Sequence, residues 1–317
     1  MKFVECDLCK SIGYTLVFES MDYITNTPQK VVRCQQCGLV YVNPQPDADE
    51  LGDHYPRVYY GEEPFLYEKL DAYSRFKRIR NFVTKGSTVL DIGCGRGLVL
   101  SRLKEIGCEV RGTELSDTSS KYAKNVLQLN IINRDLKDCG FNSDYFDVIT
   151  MFHSLEHMIS PLATLKEVYR ILRPGGTLLV EVPDFGSIYS KIFKEKWFHL
   201  DVPRHLFHFT AHTLEKSLLT AGFSVFKQTR YAIMYDSFGA LQSLLNYICL
   251  KSNLLNDFNT KRIKLKDNLS WSHKRVLLDI IISLLFQTIF YIPLFVFSYF
   301  LSIFNVGGTL VLYARKL

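Results

Sequence analysis

Residues 89–97 read Val-Leu-Asp-Ile-Gly-Cys-Gly-Arg-Gly and combine one acid, Asp91, with three closely spaced glycines. Glycine lets the backbone approach a bound ligand closely, because it has no side chain in the way. A second acid, Glu114, lies at the end of a second predicted strand, where open α/β sheets place the group that binds a ribose. The spacing Asp-x-Gly-x-Gly-x-Gly departs from the G-x-G-x-x-G of dinucleotide sites. It therefore favours a ligand that carries a ribose and a positive charge but no phosphates.

The elements around this turn follow from the apolar pattern. The apolar run Thr88–Ile92 predicts a buried parallel strand, and Leu98–Ile106 has the periodicity of a helix that Gly107 ends. Glu109–Thr113 is predicted as a second strand. The glycines thus lie at a strand-to-helix turn, and Glu114 lies at the carboxyl end of the second strand. Taken alone, the glycine turn is also compatible with an ordinary tight turn.

The same residues resemble the cofactor motif of class I S-adenosylmethionine-dependent methyltransferases. Later segments match that family in the same order, namely Asn133–Asp135 after a third strand, Phe146–His157 as a fourth strand with its Leu-Glu-His, Leu172–Gly176 as a turn and Thr177–Val182 as a fifth strand. The resemblance implies an α/β fold with a Rossmann-like seven-stranded sheet. Its last two strands would be Ser224–Tyr231 and the antiparallel Gly308–Ala314.

The resemblance also implies which residues hold the cofactor. Asp91, Gly93 and Gly95 would cradle the methionine part of S-adenosylmethionine, and Glu114 would hold the ribose hydroxyls. Asp135 and Leu136 are expected beside the adenine.

Four cysteines near the N-terminus form two C-x-x-C pairs, Cys6 with Cys9 and Cys34 with Cys37. Zinc takes four thiolates at tetrahedral corners, each about 2.3 Å away, so the pattern predicts a structural zinc ribbon with an inserted hairpin. Two disulfides, or buried thiols without a metal, are the alternatives. We expect no secretory segment ahead of Cys6 and hence a reducing cytoplasm, which favours zinc.

The segment Lys196–Thr210 carries several side chains capable of chemistry, namely His199, Asp201, Arg204, His205 and His208. Its pattern Trp-x-x-x-Asp-x-Pro-Arg-His is similar to a group of bacterial methyltransferases of sugar and surface-polysaccharide pathways, which implies that it binds the acceptor. If the acceptor is a hydroxyl, we predict His205 or His157 as the base, since histidine titrates near neutral pH. His157 is alternatively a helix cap. Arg204 either clamps a phosphate or carboxylate or pairs with Asp201.

Residues 280–304 form an uncharged apolar run of 25 residues. At about 1.5 Å per residue, a helix of this length crosses the ~30 Å hydrocarbon core of a bilayer. Upstream, residues 251–275 hold seven Lys or Arg against two Asp, which suits an anionic cytoplasmic leaflet. Because Pro293 interrupts the run and the last strand must return to the same side, we predict two half-helices, 276–291 and 293–304, as a re-entrant or interfacial hairpin. A single span, and a buried or dimer-forming helix pair in a soluble protein, are the alternatives.

The composition, 47% hydrophobic and 22% charged, is that of a globular protein, and a net charge of +6 does not by itself indicate nucleic acid. The predicted parts are a zinc ribbon (1–42), a linker and lid helix (43–83) that includes Tyr59 and Tyr60, a methyltransferase core (84–235 plus 305–317) and a basic and hydrophobic membrane-associating insertion (236–304). The oligomeric state does not follow from the sequence.

The expected reaction moves a methyl group from S-adenosylmethionine to an oxygen or carbon of a small acceptor. A sugar, glycan or lipid-linked saccharide at the inner face of the cell membrane fits the insertion and the acceptor-segment resemblance. Two alternatives remain, a methyltransferase on protein or RNA that the ribbon recognises, and a non-catalytic scaffold that keeps the cofactor fold. The ribbon has no run of Lys or Arg, so a nucleic-acid partner is not expected.

Overall fold

The computed structural model describes residues 1–47, 50, 52, 54–55, 66–230, 233–249, 251–260 and 271–317. Tyr59, Tyr60, Tyr231 and the basic residues between 261 and 270 lie outside the described residues. The chain divides into two units, each built from separate stretches of sequence. The ribbon unit comprises Met1–Gly61, Pro183–Thr210 and Arg230–Thr309, and the sheet unit comprises Glu62–Val182, Ala211–Thr229 and Leu310–Leu317.

The secondary structure alternates between strands and helices through most of the sheet unit. The described strands are β1 (Tyr14–Met21), β2 (Pro28–Cys34), β3 (Val40–Val42), β4 (Thr88–Ile92), β5 (Glu109–Thr113), β6 (Ile131–Ile132), β7 (Phe146–Phe152), β8 (Leu172–Pro183), β9 (Phe207–His208), β10 (Phe223–Thr229) and β11 (Thr309–Lys316). The described α-helices are α1 (Leu66–Ile79), α2 (Leu98–Glu105), α3 (Asp117–Asn125), α4 (Pro161–Ile171), α5 (Ile188–Phe193), α6 (Ala211–Thr220), α7 (Ile233–Ile248), α8 (Leu254–Asn259) and α9 (Trp271–Ile303). Short 3-10 turns occur at Arg80–Phe82, Leu136–Asp138, Leu155–His157, Lys194–Lys196 and Phe198–Leu200.

Within the described residues, the sheet unit holds a seven-stranded sheet in the order β10-β11-β8-β7-β4-β5-β6. The strands from β8 to β6 in that order pair in parallel. β4 and β7 are almost entirely buried, as expected for parallel strands that are covered on both faces. β11 runs antiparallel to β10. The prediction of a Rossmann-like seven-stranded sheet with closing antiparallel strands is therefore confirmed.

The core of the sheet unit holds the glycine turn in place. Val89 of β4 and Val148 of β7 are buried together with Leu100 and Leu103 of α2, and burial of each such side chain is worth about 1.5–3 kcal/mol. Gly112 of β5 is in register with Asp91 of β4, and a Cβ at Gly112 would lie 2.7 Å from the Cys94 Sγ. The glycine turn therefore packs against β5 only because residue 112 lacks a side chain.

The ribbon unit contains, among its described residues, a four-stranded sheet in the order β1-β2-β3-β9. β1 and β2 form the hairpin expected between the cysteine pairs, and β3 follows the second pair. The fourth strand, β9, comes from the acceptor segment, which we define as residues 183–210. Tyr41 of β3 is paired with Phe207 of β9, and the Val42 amide donates to the Leu206 carbonyl oxygen over 2.9 Å. The acceptor segment is thus part of the ribbon's own sheet.

The C-terminal apolar run forms one continuous helix, α9, with Pro293 inside it. The prediction of two half-helices at 276–291 and 293–304 is therefore wrong. A proline in a helix removes one backbone hydrogen bond and strains the preceding turn, whereas a break would leave up to four carbonyl and four amide groups without intrahelical partners. In an apolar surrounding the break is the more costly choice.

Candidate cofactor site and metal centre

The glycine turn after β4 adopts a backbone that favours glycine. Gly93 has φ +70° and Gly95 has φ +54°, both in the left-handed region. A Cβ at Gly93 would lie 2.6 Å from the Ser154 Cβ, whereas the position of a Cβ at Gly95 has nothing within 4 Å. Gly93 is therefore required for packing inside the unit, and Gly95 presents bare backbone to open space.

Asp91, at the carboxyl end of β4, is buried with only 3% of its surface exposed. Its Oδ1 accepts a hydrogen bond from the Thr150 hydroxyl over 2.7 Å. Burial raises the pKa of Asp91 to about 7, against this hydrogen bond, which lowers it. A buried carboxylate without a cation in contact is costly, and a positively charged ligand would relieve that cost. Thr150 was not predicted from the sequence as part of the site, although it is a polar residue within the apolar run of β7.

Glu114 follows β5 and joins that strand to the glycine turn. Its Oε2 accepts from the Gly95 amide over 2.8 Å, and its Oε1 accepts from the Ser116 amide over 2.7 Å. Burial raises the pKa of Glu114, while these amides and the charge of His157 lower it. Each carboxylate oxygen has a second lone pair, so Glu114 retains acceptor capacity for the hydroxyls of a ribose.

Asp135 and Leu136 follow β6, at the same edge of the parallel sheet as the glycine turn and Glu114. Asp135 is half-buried and its Oδ1 accepts from the Lys137 amide over 3.3 Å. Leu136 is buried. Nearby, the Asn133 side-chain amide donates to the Glu114 carbonyl oxygen over 2.7 Å. All six residues predicted to bind the cofactor therefore lie in the sheet unit, after three neighbouring parallel strands, and the set fits S-adenosylmethionine in charge and in open space at Gly95.

A buried network of charges joins β8 to α1. Glu181 of β8 is fully buried and pairs with Arg75 at 2.9 Å and with Arg78 at 2.6 Å. Burial by itself raises the pKa of Glu181, yet Arg78, Arg75 and His153 hold it well below its usual range. His153 contacts Glu156 at 3.2 Å and Glu181 at 3.3 Å. Burial lowers the pKa of His153, but the two glutamates raise it to about 9.

This network, and a second pair between Arg96 of the glycine turn and Glu68 of α1, tie α1 to the sheet. The helix predicted within the 43–83 segment is thus present as α1 and the 3-10 turn that follows it. This network was not predicted from the sequence. The one pattern that indicates it is an acid, Glu181, in the otherwise apolar Leu-Leu-Val-Glu-Val of β8.

The four predicted metal ligands, Cys6, Cys9, Cys34 and Cys37, come together in the ribbon unit. All four Sγ atoms lie within 4.8 Å of one another, with Cys6 and Cys37 at 3.4 Å and Cys9 and Cys34 at 3.5 Å. A tetrahedral site with bonds of about 2.3 Å separates its sulfurs by roughly 3.8 Å. The cysteines are free thiols, so the two-disulfide alternative does not describe this structure, and the donor set fits zinc.

Arg204 of the acceptor segment is fully buried and serves the fold. Its guanidinium contacts Asp201 at 2.8 Å and Asp22 of the ribbon at 2.9 Å. It also donates to the His54 carbonyl oxygen over 2.8 Å and lies 4.6 Å from the Tyr23 ring centroid. The prediction that Arg204 clamps a phosphate or carboxylate of the acceptor is therefore wrong, because its guanidinium nitrogens already form ion pairs inside the ribbon unit. Asp22 had no indication in the sequence.

The two predicted bases lie in different units. His205 belongs to the ribbon unit and is buried, with its Nδ1 at 2.8 Å from the His199 carbonyl oxygen. A carbonyl accepts, so Nδ1 carries the hydrogen and the neutral ring has its lone pair at Nε2. His157 belongs to the sheet unit, in the 3-10 turn after β7, where its charge acts on Glu114. Both assignments as base remain predictions.

The remaining histidines of the acceptor segment have packing roles. His199 stacks on Tyr235 with ring centroids 4.1 Å apart. His208 of β9 lies against Phe185 at 5.5 Å.

Comparisons with known proteins agree with this geometry. A family model described as a methyltransferase domain matches residues 67–228. A ubiquinone biosynthesis O-methyltransferase from Coxiella burnetii is 34% identical over 126 residues, which are 38% of this chain and 51% of that protein. The chain thus spans about half the length of the curated relatives it matches.

Solved structures are similar in fold. The [4+2]-cyclase SpnF has a TM-score of 0.51 and 16% identity, over 86% of this chain and 98% of that one. A SAM-dependent methyltransferase from Thermotoga maritima has a TM-score of 0.44 and 25% identity, over 52% of this chain and 77% of that one.

Proposed function

The chain belongs to the methyltransferase domain family, whose model covers just over half of it, and from that premise we propose that it transfers a methyl group from S-adenosylmethionine to a small membrane-associated acceptor. The acceptor we propose is a sugar or glycan carried on a lipid, methylated at the cytoplasmic face of the cell membrane. Oxygen is the preferred acceptor atom, since the relatives bear the name of O-methyltransferases of ubiquinone biosynthesis.

One observation carries the proposal for the acceptor. Leu294 and Leu301 of the apolar helix α9 pack in the same hydrophobic core as Trp197 and Leu200 of the acceptor segment. The part of the chain with the acceptor motif and the part most suited to lipid are therefore one folded body. A water-soluble acceptor gives no reason for that arrangement, whereas an amphiphile does.

The residues of the sheet unit would hold the cofactor as follows. Asp91, buried and with a raised pKa, favours a cationic partner, and Glu114 offers its remaining lone pairs to hydroxyls. The backbone at Gly95 lets the ligand approach closely, and Asp135 with Leu136 borders the adenine position. S-adenosylmethionine, when bound, supplies a methyl group already activated on a sulfonium, so alignment of the acceptor contributes most of the rate.

The proton of a hydroxyl acceptor needs a destination. We propose His205 for this role, because the bond from its Nδ1–H to the His199 carbonyl oxygen orients the ring and makes Nε2 the basic nitrogen of the neutral form. His157 is the second candidate. In the ribbon, a zinc ion held by the four cysteines would fix both knuckles, and with all four positions filled by protein its role would be structural.

The test is transfer of labelled methyl from S-adenosylmethionine into an extract of the host's own membranes, followed by partition between organic solvent and water. Label in the organic phase that mild acid releases as a water-soluble methylated sugar supports a lipid-linked saccharide. Label that stays organic after acid indicates a lipid acceptor without a glycan, as the relatives' name suggests. Label in the protein or RNA fractions would indicate that the ribbon recognises a macromolecular acceptor, and this result would contradict the proposal.

The test variant is Glu114→Gln, which keeps the shape and removes the charge, and its matched control is Glu109→Gln at the exposed start of the same strand, β5. We expect Glu114→Gln to lose transfer and Glu109→Gln to retain it. If neither wild type nor Glu109→Gln transfers label, yet both bind S-adenosylmethionine by calorimetry, the scaffold alternative is supported instead.

A further inference from the structure

Helix α9 presents an uninterrupted apolar stripe to its surroundings. The stripe runs from Leu278 to Ile303 and recurs every three or four residues, as one face of a helix requires, through Ile281, Leu285, Ile289 and Ile292. Between 47% and 70% of each of these side chains is exposed. Within the described residues, Val276–Ile303 is long and apolar enough to cross a membrane, and only 11% of its most apolar window is buried. A face this long and apolar is unusual on a water-exposed monomer.

The opposite face of α9 contacts the rest of the ribbon unit along nearly the whole helix. Ser283 lies near one end, with its Oγ 3.6 Å from the Cys249 Sγ. Ser298 lies near the other end, with its Oγ 2.9 Å from the Tyr189 hydroxyl. Ile280, Ser283 and Ser298 are all buried. The face toward the protein therefore carries both of these serines together with apolar side chains, while the stripe that faces outward is apolar, unlike the outer face of a helix on the surface of a soluble protein.

The length of this contact limits how the helix can meet a bilayer. From Ile280 to Leu301 the helix rises by about 32 Å at 1.5 Å per residue, close to the ~30 Å hydrocarbon core. A helix that crossed the membrane with these contacts intact would carry its partners through the hydrocarbon. The same core includes Val31 of β2, a strand that exposes Lys30 and Arg33, and each charge at the bilayer centre costs at least about 2.5 kcal/mol.

We propose that α9 lies flat in one leaflet, with the stripe in the acyl region and the ribbon unit on the cytoplasmic side, so that the protein is monotopic. The partner is a lipid bilayer surface with anionic headgroups, because residues 251–275 carry seven Lys or Arg against two Asp. This inference rests on the proposed membrane association and adds its geometry.

The test places single tryptophans at three positions of the stripe, Leu278→Trp, Ile292→Trp and Ile303→Trp, in a Trp271→Phe background. The buried Trp197 gives a constant background, measured in the parent. Vesicles of three parts phosphatidylcholine to one part phosphatidylglycerol carry bromine near either the headgroup or the chain ends. A flat helix is expected to place all three tryptophans at the same shallow depth. The ratio of quenching by the headgroup bromine to quenching by the chain-end bromine should then agree among the three positions within about 20%.

A spanning helix would instead put residue 292 deepest and residues 278 and 303 near the headgroups, and this pattern would overturn the inference while leaving membrane association intact. Flotation with the same vesicles separates the two claims. If the wild type does not float, membrane association itself fails, whatever methyl transfer shows. Ile289→Glu with Ile292→Glu is expected to reduce flotation at least tenfold relative to the matched Ile289→Ala with Ile292→Ala.

Discussion

Arg204→Met tests whether this buried arginine holds the ribbon unit together. The guanidinium makes two contacts to Asp201, at 2.9 and 2.8 Å, and one to Asp22 at 2.9 Å. Arg204 and Asp22 are both fully buried. Methionine fills a similar volume but leaves both carboxylates without their cation, and an unpaired buried charge costs about 3–5 kcal/mol. We expect Arg204→Met to lower the free energy of unfolding of the ribbon unit by that amount.

The cost should depend on pH in a defined direction. Arg204, His54 and Thr25 hold the pKa of Asp22 below its ordinary value, although burial raises it. A depressed pKa means that Asp22 contributes stability above about pH 4 and loses it as pH falls through the folded-state value. The difference between wild type and Arg204→Met should therefore be full at pH 7 and shrink below pH 4. Adding Asp22→Asn and Asp201→Asn should recover part of the loss at pH 7.

Tryptophan fluorescence reports this unit specifically. The two tryptophans of the chain are Trp197 and Trp271, and both belong to the ribbon unit. In a Trp271→Phe background, urea unfolding in mild detergent follows the buried Trp197. Should Arg204→Met unfold within about 1 kcal/mol of its parent while the acceptor KM rises sharply, Arg204 would be a substrate clamp and the structural account would be refuted.

Three further predictions concern the sheet unit and the metal. Asp91→Asn should stabilise the ligand-free protein at pH 8, by at most about 4 kcal/mol for a pKa near 7 instead of 3.8, and should weaken S-adenosylmethionine binding. Because the pKa of Asp91 is raised, its carboxyl favours the folded state at low pH, and this contribution is lost as the pH rises through about 7. The urea midpoints of wild type and Asp91→Asn, measured by circular dichroism, should therefore converge at pH 4. A constant difference between the two midpoints would contradict this. Gly93→Ala should strongly lower the free energy of unfolding, because its Cβ would lie 2.6 Å from the Ser154 Cβ. Gly95→Ala faces open space, so it should lower the free energy of unfolding only through its strained φ, by about 1 kcal/mol. It should nevertheless reduce the affinity for the cofactor, measured by calorimetry, tenfold or more. Removal of zinc with a chelator should expose the acceptor segment to trypsin and raise the acceptor KM with unchanged S-adenosylmethionine affinity; equal loss of both would show that the ribbon stabilises the whole chain.

Local pattern was sufficient where the residues that follow a strand cannot continue it. The predicted bounds Thr88–Ile92 and Glu109–Thr113 are those of β4 and β5, because each run ends at a glycine or at an acid that cannot continue the buried strand. The cysteine pairs likewise predicted the cluster of four thiols, since their spacing already defines two knuckles.

What the sequence did not reveal depends on distant partners. Glu181 and Arg75 are 106 positions apart, and Arg204 and Asp22 are 182 apart, so no local period links them. β9 has only two residues, too few for an alternating pattern, which is why its membership of the ribbon sheet was not foreseen. The predicted hairpin at Pro293 was wrong because the prediction considered only the one backbone hydrogen bond that proline removes. It left out the free-energy cost of the two new helix ends that a break would create.

The position of β11 has a consequence for biosynthesis. It is inserted between β10 and β8, although both are translated earlier and α9 is translated in between. While the chain emerges from the ribosome, β8 keeps an open hydrogen-bonding edge until β11 arrives. The apolar helix is complete before that edge is filled, so on the proposed membrane association the nascent chain would meet lipid with the seven-stranded sheet still one strand short. The order of the strands along the chain would thereby place lipid binding by α9 before completion of the sheet.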